Sequence, residues 1–234
     1  MSRLLLALGL VLVLALGACG GDDDEGGGSS GGANTEQQAT APASEPAAGE
    51  CESPDQPPPR ADGGEKKPKP LDPATTYEVE LETSCGAFTI QLDQKTSPEA
   101  AASFAALARS GFYDDTIFHR IVPGFVIQGG DPTVTGGGGP GYSTTDEVPA
   151  DAQYVPGVAA MAKAGNEPAG TGGSQFFVVT GEGTGLTPDY ALLGEVTAGM
   201  EVVQAIGELG DPASGSTGTP LQSVVIEKAV VRER

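Results

Sequence analysis

The stretch F-H-R-I-V-P-G-F-V-I-Q-G-G-D, from Phe118 to Asp131, mixes polar and apolar residues in a way that organises the rest of the chain. It holds the only histidine of the protein, with one arginine and one glutamine, among aromatic and aliphatic residues. Two of its runs, Phe118 to Ile121 and Val126 to Gly129, have the composition of short strands. The polar side chains are therefore expected to project from strands.

Outward from this stretch, apolar and polar residues alternate at 77–82 and again at 88–92, which predicts two antiparallel strands. Ser97-Pro98-Glu99 marks the start of a helix that ends at Gly111, with Ser97 as the cap candidate. A second short helix is predicted over Met200 to Ile206. The remaining strand-like runs are 158–161, 176–180, 191–196 and 224–231. We expect an all-β dominated fold, a closed eight-stranded antiparallel β-barrel capped by two α-helices, because closure removes exposed sheet edges.

The first residues have the features of an export signal, and residues 1–18 are predicted to be a lipoprotein signal peptide. Arg3 precedes a 13-residue apolar run, Leu4 to Leu16, which is shorter than a membrane-spanning helix requires. The run ends in L-G-A-C, which resembles a bacterial lipobox with Cys19 as the lipidated residue. The alternative is an ordinary secretory signal cut nearby. The expected location is extracytoplasmic, on the bacterial cell membrane through an N-terminal lipid anchor.

Residues 19–74 are rich in glycine, proline and acids, with few large apolar residues, which predicts a disordered tether. The folded domain is expected to span residues 75–234. Cys51 and Cys85 remain as a possible disulfide in a compartment that permits one. The alternative is two separate thiols.

The charge and the residue types exclude several classes of function. The chain has 32 acids and 12 bases, a formal net charge of −20, which repels phosphate backbones, so no nucleic-acid partner is expected. One histidine and no C-x-x-C or H-E-x-x-H motif leave poor material for a metal site. We therefore expect no metal and no cofactor, and a reaction without covalent chemistry.

Three segments of the chain resemble the cyclophilins, the peptidyl-prolyl cis-trans isomerases, in their order, their spacing and their amino-acid sequences. They are Phe118 to Asp131, Met161 to Gly165 (M-A-K-A-G) and Gly172 to Phe177 (G-G-S-Q-F-F). The resemblance implies a cyclophilin-like barrel with a helix at each end and a substrate groove on its outside. It also implies an enzyme that isomerises X-Pro bonds in proline-containing polypeptides, and we expect it to be a monomer.

The resemblance assigns roles to residues at matching positions. Arg120 would be the catalytic donor, Gln128 would bind the substrate backbone, and Phe125 would line the proline pocket. The further substrate-binding residues implied are His119, Val126, Ala162, Lys163, Gln175, Phe177, Leu186 and Tyr190. Each also has a structural interpretation, which for His119 is the favoured one. Val126, Lys163 and Tyr190 depart from the residues common in the family.

A second hypothesis belongs to another class of protein. The chain could be a cyclophilin-like binding module for proline-containing segments of a cell-surface partner, with turnover incidental. The substitutions at Val126 and Lys163 keep this alternative open, whereas the presence of Arg120 and Gln128 favours an enzyme.

Overall fold

The computed structural model describes residues 51–234. The predicted signal peptide at 1–18, the lipidation residue Cys19 and the first part of the tether lie outside the described residues. Within 51–234, no helix is both long enough and apolar enough to span a bilayer.

The described residues form eleven strands, two α-helices and one 3₁₀ helix. The strands are β1 Tyr77–Thr83, β2 Gly86–Leu92, β3 Thr116–Ile117, β4 Arg120–Val122, β5 Val126–Gly129, β6 Thr144–Thr145, β7 Val158–Met161, β8 Thr171–Gly172, β9 Phe176–Val179, β10 Leu192–Ala198 and β11 Val225–Glu233. The helices are α1 Pro98–Arg109 and α2 Met200–Gly207, and the 3₁₀ helix is Pro212–Thr217.

Nine strands form one antiparallel sheet, in the order β3-β11-β1-β2-β10-β7-β9-β5-β4, and β6 pairs separately with β8. The predicted hairpin of β1 and β2 is present, with the side chains of Val79, Leu81 and Ile90 fully buried. These residues belong to the main hydrophobic core, which also includes apolar residues of both α-helices.

The prediction of a closed eight-stranded barrel is wrong, because the sheet is a curled, open half-barrel. Its two end strands, β3 and β4, follow each other in the chain, separated only by Phe118 and His119. Across these two residues the backbone changes partners, since β3 pairs with β11 and β4 pairs with β5. The strand predicted from Phe118 to Ile121 therefore begins two residues later, at Arg120. Within 51–234, the β-contact between the two ends of the sheet is an isolated bridge, which joins Ile117 of β3 to Asp131 just after β5.

The start of α1 is capped from a distant part of the chain. Ser97 makes no capping hydrogen bond with its side chain, contrary to the prediction, and its hydroxyl is buried without a partner among the described residues. The carboxylate of Asp146 instead accepts hydrogen bonds from the backbone N–H groups of Glu99 (3.0 Å) and Ala100 (2.8 Å). The helix is thereby tied to the segment that carries β6.

Residues 51–71 run along the domain without forming a helix or strand, and we call them the N-terminal strap. A disulfide joins Cys51 at its start to Cys85, and Leu71 at its end packs against the main core. This part of the predicted disordered tether is therefore held against the domain. Low apolar content predicts that a segment has no core of its own, but backbone hydrogen bonds and a disulfide can still fix it.

Candidate active site

Arg120 and Gln128 face each other across the hairpin of β4 and β5, where they are register partners. Nη1 of Arg120 donates to Oε1 of Gln128 at 3.3 Å, and Nε donates to the carbonyl of Ser216 at 3.1 Å. The guanidinium carbon lies 5.8 Å from the centre of the Phe125 ring. Burial lowers the pKa of Arg120 from its ordinary value, against an opposing effect of Tyr190. An arginine in this state still carries its charge near neutral pH.

The side chain of Gln128 also connects to a second glutamine. Its Nε2 donates to Oε1 of Gln175 at 3.2 Å. Nε2 of Gln175 in turn donates to the carbonyls of Gly136 and Gly138, both at 3.0 Å. Residues 136–141, which we call the glycine-rich loop, are therefore bonded into the site.

A second hydrophobic cluster, separate from the main core, lies beside these polar groups. Its buried members include Val126, Tyr154 and Phe177, and Phe125, Ala162, Leu186 and Tyr190 pack against it. The rings of Phe177 and Tyr190 meet edge to face at 5.3 Å, and Tyr154 and Tyr190 at 6.0 Å. The structure thus gathers Phe125 with the apolar and aromatic residues that the resemblance assigns to substrate binding.

Lys163 directs its side chain away from solvent. Its side chain is 3% exposed, and its Nζ lies 2.7 Å from Oδ2 of Asp189 and 3.1 Å from the carbonyl oxygen of Glu167. The ammonium also lies 5.7 Å from the centre of the Tyr190 ring. The lysine therefore joins the segment after β7 to the segment before β10, which positions the backbone near Ala162.

His119 and Asp131 both lie beside Gly136 of the glycine-rich loop. The imidazole of His119 lies against Gly136, and its Nδ1 is buried without a hydrogen-bond partner in the described residues. Burial is the main effect that lowers the pKa of His119; Asp131 raises it and Arg120 lowers it further. The imidazole is thus uncharged near neutral pH, which fits a structural role better than a role that needs a positive charge.

A cavity of about 470 Å³ is lined in part by Gln128 and Gln175. Its other walls are the glycine-rich loop, the segment 162–164 and Glu167. Asp62, from the N-terminal strap, also lines it. No cluster of three or more histidine, cysteine or acidic side chains is placed to hold a metal ion in residues 51–234.

The structure brings together all the residues that the resemblance placed at the site, with His119 at its edge. Sequence reasoning missed Tyr154, whose hydroxyl donates to the carbonyl of Tyr190 at 2.7 Å and accepts from its N–H at 3.0 Å. It also missed Asp189 and Ser216. None of these three lies in a recognisable motif, so no local signal could have found them.

Comparison with known proteins accounts for this arrangement. Residues 78–231 match the family model described as cyclophilin type peptidyl-prolyl cis-trans isomerase/CLD. The chain is 39% identical over 158 residues to the peptidyl-prolyl cis-trans isomerase CYP18-2 of Arabidopsis thaliana, covering 66% of this chain and 93% of the relative. It is 38% identical over 172 residues to peptidyl-prolyl cis-trans isomerase B of Streptomyces anulatus, covering 66% and 95%.

A solved structure agrees with these relatives. The crystal structure of a cyclophilin type isomerase from Cryptosporidium parvum, in the presence of the dipeptide Ala-Pro, matches with a TM-score of 0.60 and 33% identity. The match covers 67% of this chain and 99% of that one. The chain therefore belongs to the cyclophilin family of peptidyl-prolyl cis-trans isomerases and is an enzyme of that family.

Proposed function

We propose that the enzyme isomerises X-Pro bonds of exported or surface polypeptides, and that Arg120 stabilises the twisted prolyl amide without covalent chemistry. The observation that carries the proposal is the position of the Arg120 guanidinium. It lies beside Phe125 of the second hydrophobic cluster and is held by Gln128 and by the 3₁₀ helix.

The chemistry follows from the electronic structure of the amide. The barrier to rotation is about 18–20 kcal/mol, because the nitrogen lone pair is delocalised into the carbonyl group. In the twisted transition state the lone pair returns to nitrogen and can accept a hydrogen bond. A donor aimed at that nitrogen stabilises the transition state more than the planar ground state, and so raises the rate.

Arg120 has donors to spare for this role. Of the five N–H groups of a guanidinium, the hydrogen bonds to Ser216 and Gln128 use two. These two bonds fix the orientation of the plane before the substrate arrives, so little reorganisation is needed at the transition state. The remaining N–H groups are available to the prolyl nitrogen.

The substrate would be held on both sides of the rotating bond. The second hydrophobic cluster supplies an apolar surface for the proline ring, and Gln128 supplies an amide for the peptide backbone. The hydrogen bonds within residues 51–234 leave the backbone groups of Lys163 unused, so they can pair with the residues before the proline. Fixing one side while the other rotates is the geometry that the reaction needs.

Replacing Arg120 tests the mechanism. Arg120→Ala should lower kcat/KM in a proline-isomerisation assay by about a hundredfold or more, the usual cost of removing a transition-state donor. Arg109→Ala is the matched control, because Arg109 pairs with Glu233 at the surface, outside the groove. Equal activity of wild type and Arg120→Ala would refute the proposal. Peptide binding without turnover in the wild type would favour a binding module.

The cellular location forms part of the same proposal. The lipobox-like residues before Cys19 support a lipid anchor, and the disulfide of Cys51 with Cys85 supports an oxidising compartment outside the cytoplasm. Cys19→Ser should move the protein from the membrane fraction to the soluble fraction. Unchanged fractionation would refute the anchor but not the isomerase.

A further inference from the structure

The N-terminal strap reaches the glycine-rich loop at the edge of the substrate groove. Oδ1 of Asp62 accepts a hydrogen bond from the backbone N–H of Gly139 at 2.7 Å. The N–H of Gly63 donates to the carbonyl of Gly139 at 2.9 Å, and the N–H of Glu65 donates to the carbonyl of Pro140 at 3.0 Å. The strap and the loop are thus paired through backbone groups.

The contact depends on glycine on both sides. Gly63 and Gly141 have φ values of 71° and 87°, in the region that side chains disfavour. A Cβ on Gly141 would lie 3.1 Å from Cα of Gly63 and from the nitrogen of Gly64. A side chain at Gly141 would therefore crowd the strap backbone, whereas at Gly63 there is room for a Cβ and only the positive φ disfavours a side chain.

The strap is also anchored away from the groove. The N–H of Arg60 donates to the carbonyl of Pro132 at 2.8 Å, and its guanidinium donates to the carbonyls of Gly111 and Phe112, which follow α1. On the other side, Nζ of Lys67 pairs with Glu99 at 2.9 Å. Residues 60–67 are therefore fixed to the domain at both ends, with Asp62 between the anchors.

From the strap, a continuous series of hydrogen bonds leads to the catalytic arginine. Asp62 holds the loop at Gly139, and the adjacent carbonyl of Gly138 accepts from Gln175. Gln175 accepts from Gln128, which accepts from Arg120. The match to the family model begins at residue 78, so the strap is an addition to the matched domain.

We propose that the N-terminal strap is a working part of the substrate groove, in which Asp62 is a positioning residue that holds the glycine-rich loop and, through it, Gln175. Asp62 acts as a hydrogen-bond acceptor for Gly139 rather than as a charge. This inference deepens the proposed function, since it concerns how the same groove binds its peptide.

The test compares Asp62→Ala with Asp62→Asn in the full-length chain. Asp62→Ala should raise KM for a proline-containing peptide about five-fold, with little change in kcat. The loss of one hydrogen bond, about 1 kcal/mol, corresponds to a factor of about five in binding. Asp62→Asn should restore KM, because its amide oxygen can accept the same bond. Asp55→Ala, at an exposed carboxylate of the same strap, is the matched control and should behave as wild type.

Two further measurements keep the outcome decisive. Arg60→Ala removes a strap anchor that does not line the groove, and it should raise KM in the same direction. Hydrogen exchange of residues 136–141 should be faster in Asp62→Ala than in Asp62→Asn, a readout that does not require activity. An unchanged KM and unchanged exchange in Asp62→Ala would overturn the proposal, as would an Asp62→Asn variant that behaves like Asp62→Ala. Inactive wild-type protein would instead refute the proposed function.

Discussion

The carboxylate of Asp131 organises the residues that follow β5. It is fully buried and accepts hydrogen bonds from the backbone N–H groups of Thr133 (2.7 Å), Thr135 (3.0 Å) and Gly136 (2.6 Å). Burial acts to raise the pKa of Asp131, but hydrogen bonds from Thr133, Gly138 and Gly136 outweigh it and lower the pKa. Because the folded-state pKa lies below the unfolded one, this stabilisation is complete above the unfolded pKa. It is lost as the pH falls through the folded pKa.

We expect Asp131→Asn to reduce the free energy of unfolding near neutral pH by about 2 kcal/mol, a value typical of hydrogen bonds to a charged group. The difference from wild type should shrink at acid pH, below the ordinary pKa of an aspartate, as the wild-type carboxyl group takes up a proton. Urea unfolding at both pH values measures it, with the exposed Asp55→Asn as control. A difference that stays constant with pH would contradict the role of the charge.

Single residues differ in how far the sequence predicts their partners. The motif around Arg120 predicts its place beside Gln128, because both lie on one short hairpin. It cannot predict that Lys163 pairs with Asp189, 26 residues later, because nothing in the local pattern records a contact made by folding. The same holds for Asp131, whose partners lie in the irregular segment that follows it.

At the scale of elements, α1 depends on a residue that is remote in sequence. The first N–H groups of a helix lack partners within the helix, and here Asp146 satisfies those of Glu99 and Ala100. The negative charge also lies at the end of the helix where the macrodipole favours it. Ser97 occupies the cap position but leaves this task to Asp146.

The pair Asp146→Ala and Ser97→Ala separates these two residues. Asp146→Ala should lower the free energy of unfolding by about 1–2 kcal/mol, the usual cost of losing a helix cap. Ser97→Ala is the matched control and should change it by less than about 0.5 kcal/mol, because no capping bond is lost. Urea unfolding compares the variants. A larger loss for Ser97→Ala than for Asp146→Ala would contradict the assignment.

Strands of four or more residues were predictable from the sequence, and strands of two residues were not. The runs predicted at 158–161 and 126–129 coincide with β7 and β5, and the alternation at 77–82 falls within β1. The two-residue strands β6 and β8 contain too few residues to show a period. The interruption between β3 and β4 at Phe118 and His119 was not predicted for a related reason. An apolar run does not reveal where the backbone changes its pairing partner.

At the scale of the whole molecule, hydrophobic patterning predicted a β-rich domain with two helices but not whether its sheet closes. An apolar face is equally buried in a closed barrel and in a curled sheet covered by helices. The docking of the N-terminal strap on the domain was not predicted for a different reason. It docks through backbone hydrogen bonds, one disulfide and two cationic side chains, none of which leaves an apolar signal.

The disulfide that pins the strap should make a measurable contribution to the stability of the whole domain. Cys51 and Cys85 are 34 residues apart. Closing a loop of that size removes conformational entropy from the unfolded chain, and this raises the free energy of the unfolded state by about 4 kcal/mol. We therefore expect Cys51→Ser to lower the free energy of unfolding by about 3–4 kcal/mol. Urea unfolding under oxidising conditions measures this, in a Cys19→Ser background that prevents thiol exchange.

Reduction provides the internal control for the same prediction. A dithiol reductant should lower the stability of the parent protein to that of Cys51→Ser and should leave Cys51→Ser itself unchanged, because the variant has no bond to reduce. The loss should appear in the free energy of unfolding of the whole domain, since Cys85 is fully buried in its core. If the parent and Cys51→Ser unfold at the same urea concentration under oxidising conditions, the strap is held by its hydrogen bonds and not by the disulfide.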